Sequence, residues 1–216
     1  MKTMKLTTYR QKRRFDVTPE PSGAEKPARP RQQRLTYVIQ KHRASHLHYD
    51  FRLEWEGVLL SWAVPKGPSL DPQVKRLAMQ VEDHPLDYAT FEGVIPGGEY
   101  GGGTVMLWDS GSWIPESKDV GAALEKGDLK FTLHGEKLKG SWVLVRTRGF
   151  GRQPGRASWL LIKHHDEFAS TEDITEREPY SVSTHRLLAD IARDGNGDVA
   201  QAASGDSAPK KRKTRA

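Results

Sequence analysis

From Leu47 to Trp55 the chain alternates without a break. Leu47, Tyr49, Phe51, Leu53 and Trp55 are apolar or aromatic, and His48, Asp50, Arg52 and Glu54 stand between them. A period of two predicts a half-buried β-strand, one face in the core and a polar face outside. Similar runs recur along the chain, punctuated by Gly and Pro. The predicted strands are Thr36–Gln40, Leu47–Trp55, Gly57–Val64, Leu77–Asp83, Gly103–Asp109, Asp128–Leu133, Gly140–Arg146 and Ser158–Lys163. About eight strands at this spacing predict a mainly β fold, a barrel or a sandwich. The six tryptophans fall mostly in these strands, so core packing explains them better than base stacking. Helix is scarce. One short helix is predicted over Ser117–Glu125, with Ser117 as its N-cap, and another over Ser183–Ala192.

Three regions follow from the pattern. Residues 1–33 form a basic arm with Lys12, Arg13 and Arg14 and with prolines at 19, 21, 27 and 30. It has few apolar residues to bury and is expected to be irregular, docking on the core. Residues 34–193 form the barrel domain. Residues 194–216 lack large apolar side chains, end in Pro-Lys-Lys-Arg-Lys-Thr-Arg-Ala and are expected to be a disordered tail. That ending resembles a nuclear localisation signal, but a solvated or DNA-touching tail is the simpler reading.

Charge and composition narrow the partners. The 216 residues carry a net charge of +6, with part of the surplus in the two ends. Together with a pI near 9.5 this fits an anionic partner such as nucleic acid. There are no cysteines, so disulfides and thiolate metal sites are excluded. Any metal must be held by His, Asp, Glu or water. No apolar run is long enough for a signal peptide or a membrane span, so a cytoplasmic location is expected. Nothing in the pattern demands more than a monomer.

The chemistry gathers on one hairpin. Gln40 and His42 end one strand, Arg43 to His46 turn, and His48 begins the return. Two imidazoles and the Asp50 carboxylate then meet. That donor set suits Mn²⁺, Zn²⁺ or Fe²⁺ better than Mg²⁺. Arg52 follows in phase, and a fixed guanidinium beside a metal suits phosphate. A solvated strand face, with Arg52 in a surface ion pair to Glu54 or Glu82, is the plain alternative. Three His within seven residues, with Asp and Arg beside them, favour a site. His84 stands at a strand end before Pro85, with Tyr88 one helical turn further on. An imidazolium there could donate a proton or stabilise charge. The glycine-rich run Ile95–Gly103 lacks the Gly-Lys-Ser/Thr ending of a P-loop and reads as a tight connection. No Lys-x-Asp-Gly ligase nucleophile and no paired polymerase aspartates are visible.

Four stretches together resemble a known family. They are Gln40–Glu54, Ser61-Trp62-Ala63-Val64-Pro65-Lys66-Gly67-Pro68, Val81–Tyr88 and Phe91–Pro96. They are similar to the 3′-phosphoesterase domain of bacterial DNA ligase D, free-standing or detached, over about Tyr9 to Asp190. The resemblance implies a small closed or partly open β-barrel and a Mn²⁺-dependent enzyme of double-strand break repair by non-homologous end joining. Such an enzyme removes a 3′-terminal ribonucleoside by phosphodiester cleavage, then the remaining 3′-phosphate, leaving a 3′-hydroxyl for ligation. It implies DNA primer-template 3′ ends as substrate, and a DNA ligase, a polymerase and Ku as partners at the nucleoid. It implies metal ligation by His42, His48 and Asp50. It implies phosphate contacts from Arg52 and His84, help from Tyr88, substrate contacts from Lys66, Arg76 and Arg13, and support from Glu20 and Glu82. One position departs: Arg14 stands where the family has Asp. Ser181–Arg186 also drifts from the usual ending. Two other readings stand beside this one. One is a module that binds DNA ends or a repair partner without chemistry. The other is a phosphodiesterase of small nucleotides, which the basic ends disfavour.

Overall fold

The computed structural model describes residues 6–23, 34–147 and 157–207. It begins with one turn of helix, α1 (Thr7–Gln11), followed by the hairpin β1 (Leu35–Arg43) and β2 (Leu47–Trp55). Next come β3 (Val58–Val64), β4 (Arg76–Gln80), a 3₁₀ turn over Leu86–Thr90, and β5 (Gly93–Ile95). The long strand β6 (Gly103–Pro115) leads to α2 (Val120–Lys126), β7 (Asp128–Gly135), β8 (Lys139–Arg146) and β9 (Ser158–Lys163). Three short helices close the described chain: α3 (Ile174–Arg177), α4 (Leu188–Asp194) and α5 (Val199–Ala203).

The expected barrel is present and closed. The strand order is β1-β2-β3-β4-β9-β8-β7-β6, and β6 pairs back onto β1. The strand pairings are antiparallel, and short β5 adds to β6 beside the closed ring. Closure leaves the eight barrel strands without a free edge. The inward face of each strand supplies the core. Tyr37, Ile39, Phe51, Trp62, Trp108, Phe131, Trp142 and Trp159 are all buried. Phe51 lies 5.8 Å from Phe131 and Trp62 lies 6.0 Å from Trp159, ring centre to ring centre. This packing accounts for the tryptophans, as the pattern predicts. Asp109 stitches the closure: it accepts from the Tyr37 hydroxyl at 2.8 Å and from the Lys137 and Leu138 backbone at 2.9 Å.

The structure corrects several expectations. The polar face of β2 is not solvated. Asp50, Arg52 and Glu54 are as buried as the core face, because α1, the 3₁₀ turn and β5 pack over the outside of the hairpin. A second apolar cluster of Tyr9, Leu59, Tyr88, Phe91, Ile95 and Val105 forms between these layers. The strand expected to end at Asp109 runs on to Pro115, with a register shift against β1 at Ile39/Gln40. Helix α2 starts later than expected. Asp119, not Ser117, caps it and accepts from the Ala122 backbone at 2.9 Å. The helix expected over Ser183–Ala192 begins only at Leu188.

The tail expected to be disordered from Asp194 is folded as far as residue 207. Helix α5 buries Ala202 in the main core, and Asp206 caps α4 by accepting from the Leu188 and Ala189 backbone at 2.9 and 3.0 Å. The basic ending beyond 207, and arm residues 1–5 and 24–33, lie outside the described residues. Among the described residues no helix is long and apolar enough to cross a membrane.

Candidate metal and phosphate site

The hairpin register assembles the expected trio. His42 stands directly opposite His48, and Gln40 opposite Asp50, so all four share the outer face. His48 Nε2 lies 3.7 Å from Asp50 Oδ2, and His42 Nδ1 lies 3.9 Å from the same oxygen. Two atoms each about 2.1 Å from one cation are at most about 4.2 Å apart, so each of these nitrogens lies close enough to that oxygen to share an ion with it. All three ligand atoms fall within 4.8 Å of one another. The surroundings also fit a cation. Burial first, and the neighbouring His48 second, push the His42 imidazole down to about 4, so its ring is neutral and keeps a lone pair at physiological pH.

Arg52 ties this trio to the next part of the site. Its Nη2 donates to Asp50 Oδ2 at 3.0 Å, its Nε to Gln40 Oε1 at 2.8 Å and its Nη1 to Ser61 Oγ at 2.8 Å. Nη1 also lies 2.9 Å from His84 Nδ1. Three of its five N–H groups thus donate to oxygen acceptors, and the second N–H of Nη2 is left for a ligand. Burial alone would raise the Asp50 carboxyl. Arg52, then His48 and His42, outweigh it and hold the group below the ordinary carboxylate range.

His84 is pinned by its backbone. It exchanges both main-chain hydrogen bonds with Leu59, at 2.8 and 3.0 Å. Arg13, from the arm, places Nη2 3.3 Å from His84 Nε2. The tautomer that donates from Nδ1 to the Glu82 carbonyl at 2.9 Å and accepts Arg13 at Nε2 satisfies both ring nitrogens. The imidazolium expected here is disfavoured in the free site. Burial, then Arg52 and Arg13, push His84 well below its ordinary value. A bound phosphate would offset the two guanidinium charges but not the burial, which is the larger cause.

The arm is part of the site. Glu20 is buried and accepts from Arg13 Nε at 2.8 Å, from Thr18 Oγ1 at 2.9 Å and from the Tyr88 hydroxyl at 3.1 Å. Tyr88 therefore gives its hydroxyl to Glu20, while its ring stands 5.0 Å from the Arg52 guanidinium and 4.8 Å from the His84 ring. Glu82 takes Lys12 at 3.0 Å and Arg13 at 3.4 Å. Burial raises the Glu82 carboxyl, but hydrogen bonds from its own backbone and from Lys12, and the charges of Lys12 and Arg13, hold it below 4.5.

A depressed acid stabilises the fold above its unfolded pKa and loses that contribution as pH falls through the folded value. Urea unfolding of the wild type should therefore weaken as pH drops below about 4.5. Glu82→Gln should show a shallower fall over the same window. Equal slopes for both proteins would show that Glu82 does not anchor the arm.

A cleft of about 420 Å³ joins these groups. It is lined by Arg13, His42, His48, Asp50, Arg52, Glu82, His84, Tyr88 and Tyr100, among others. Two expected substrate residues lie outside it. Lys66 is exposed and lines a neighbouring depression with Lys41 and Asp206, which meets the cleft at Leu47 and Pro65. Arg76 starts β4 opposite Leu161, with Nε buried and without a hydrogen-bond partner. Arg14 turns away from the metal trio to pair with Glu99. Sequence reasoning did not single out Tyr9, Gln40, Ser61, Lys12 or Tyr100 as site residues. Tyr9 carries the Arg13 guanidinium 3.8 Å from its ring centre and sits 4.9 Å from His84. Gln40 and Ser61 had a usable signal, since they fall in phase with the site face of their strands. A larger cleft of about 550 Å³ beside Lys137 and Tyr180 contains none of the expected site residues.

Comparison with known proteins gives consistent matches. The profile of the DNA Ligase D 3′-phosphoesterase domain matches residues 40–146. The chain is 54% identical over 186 residues to the multifunctional non-homologous end joining protein LigD of Pseudomonas aeruginosa, covering 85% of this chain and 22% of that protein. It is 48% identical over 145 residues to the corresponding DNA repair protein of Mycobacterium tuberculosis, covering 67% of this chain and 19% of the relative. It is 46% identical over 168 residues to that of Mycolicibacterium smegmatis, covering 76% and 21%. The chain thus spans about a fifth of the length of these relatives.

Proposed function

We propose that this chain, which belongs to the DNA ligase D 3′-phosphoesterase family, heals DNA 3′ ends by removing a terminal ribonucleoside and then the 3′-phosphate. The product is a 3′-hydroxyl that a ligase can use in end joining. The observation that carries this reading is the abutment of two groups: the His42, His48 and Asp50 donors share Asp50 with Arg52, which touches His84. This adjacency supports a cation seat beside a phosphate seat.

His42, His48 and Asp50 would hold Mn²⁺. A divalent ion held there would supply Lewis-acid polarisation of a phosphate oxygen and of an attacking water. The chain's own residues then do the following. Asp50 stays ionised and keeps Arg52 turned toward the trio. The remaining Nη2 hydrogen of Arg52 meets a non-bridging phosphate oxygen and offsets charge that grows there in the transition state. Arg13, held by Glu20 and stacked on Tyr9, brings a second guanidinium to the same anion through its position beside His84. That anion would offset the Arg52 and Arg13 charges that disfavour a protonated His84, and the ring would stand beside the departing oxygen as a proton donor. Tyr88 and Glu20 set the height and angle of Arg52 and Arg13. Lys66 and Arg76 serve in this reading only as outer contacts to DNA, together with the basic ends.

The test is a labelled primer-template ending in one ribonucleotide, with Mn²⁺. Wild type should shorten the primer by one nucleoside and then remove the phosphate, and His42→Ala should do neither. Equal trimming by both would reject the assignment. Cation uptake without turnover on any 3′-blocked DNA would instead mark a binding module.

A further inference from the structure

The glycine-rich run between β5 and β6 does more than connect strands. Gly101 has φ +79°, a conformation that disfavours side chains, and a Cβ on it would come within 3.8 Å of the His42 ring. The loop therefore lies flush against one metal-site imidazole. The residue before it, Tyr100, lines the cleft and leaves 42% of its surface in solvent. Large aromatic side chains at that exposure, on the rim of an anion site, are suited to stacking on a planar ligand.

The loop is held in place from the arm. Arg14 forks onto Glu99, with Nε 3.2 Å from Oε2 and Nη2 on Oε1, and the Glu99 side chain is only 8% exposed. Lys12 donates to the Tyr100 hydroxyl at 3.2 Å and stands 4.5 Å from its ring centre. Arg13 lies 5.7 Å from the same ring. Arg14 and Lys12 thus both tie the loop to the arm. Three consecutive basic residues place one aromatic ring beside the phosphate seat.

We infer that Tyr100 is a stacking platform for the base of the 3′-terminal nucleotide, and so a substrate-positioning residue. In a primer end the terminal base is the one whose outer face has no neighbouring base upon it, and a platform next to the scissile phosphate can cover that face. This inference rests on the end-healing reading above for its substrate, but its test does not need catalysis. Base–aromatic stacking predicts a preference of about tenfold for an end that bears a base.

The experiment measures Kd by fluorescence anisotropy, without divalent cation, for two primer-templates. One ends in a ribonucleotide and the other in an abasic ribose. Wild type should bind the first about tenfold more tightly. Tyr100→Phe should keep the preference, and Tyr100→Leu, similar in bulk but without a π face, should bind both ends alike. With Mn²⁺ added, Tyr100→Leu should raise KM for the base-bearing primer while kcat stays near wild type. No preference in wild type, or a preference kept by Tyr100→Leu or lost in Tyr100→Phe, overturns the platform. If wild type prefers the base-bearing end but trims nothing, end healing fails and the platform stands. If it trims without preference, the platform alone fails.

Discussion

Arg52→Ala is expected to cut 3′-end trimming by at least ~10²-fold and to lower the unfolding free energy by about 3–5 kcal/mol. Both effects come from one fact. The guanidinium is 2% exposed and joins Asp50, Gln40, Ser61 and His84. Removing it leaves a buried carboxylate without its nearest cation and two buried polar groups without their partner. Arg52→Lys separates charge from geometry. A single ammonium cannot meet acceptors that lie around a planar fork, so the charge returns but the arrangement does not. The expected result is partial recovery of stability in urea with little recovery of single-turnover trimming. Wild-type trimming by Arg52→Lys would mean that the charge alone matters and that the fork geometry does not.

Asp50→Asn is expected to lose more than ~100-fold in trimming, since changes even to partners of metal ligands cost about 10–100-fold. The substitution keeps shape, and the remaining side-chain oxygen can still accept from Arg52. Its fold should therefore suffer less than that of Arg52→Ala. What disappears is the negative charge toward which both imidazoles are turned, at 3.7 and 3.9 Å. The comparison of the two variants separates architecture from chemistry: one loses both, the other mainly activity. Near-wild-type trimming by Asp50→Asn would place the reacting phosphate elsewhere.

The hairpin was readable because a period of two leaves little freedom. Once Leu47, Tyr49 and Phe51 point inward, His48, Asp50 and Arg52 must share the other face, and a short turn at 44–46 sets His42 against His48. Strand number and spacing fit a barrel or a sandwich alike, and the pairing of β6 onto β1 decides for the closed barrel. Burial of the polar face was not readable, because its cover comes from far along the chain: Tyr9 from the arm, Tyr88 and Phe91 from beyond β4. The arm itself reads as irregular and basic. Its order depends on Glu20 and Glu82, which take Arg13 across 7 and 69 residues. Helix α5 was hidden for a similar reason. Its anchors are one buried alanine and Asp206, which reaches back to cap α4, and neither stands out from a polar tail. Lys66 and Arg76 came from resemblance alone, and the fold sets both outside the central cleft.

The central claim is that His42, His48 and Asp50 seat one divalent cation beside Arg52. It is tested most directly by titrating Mn²⁺ into the full chain while following the free-ion signal by electron paramagnetic resonance. The account requires one ion bound per wild-type chain, loss of that binding in His42→Ala, His48→Ala and Asp50→Asn, and wild-type binding by Tyr100→Leu. Uptake of Mn²⁺ by all three ligand variants with wild-type affinity would contradict it.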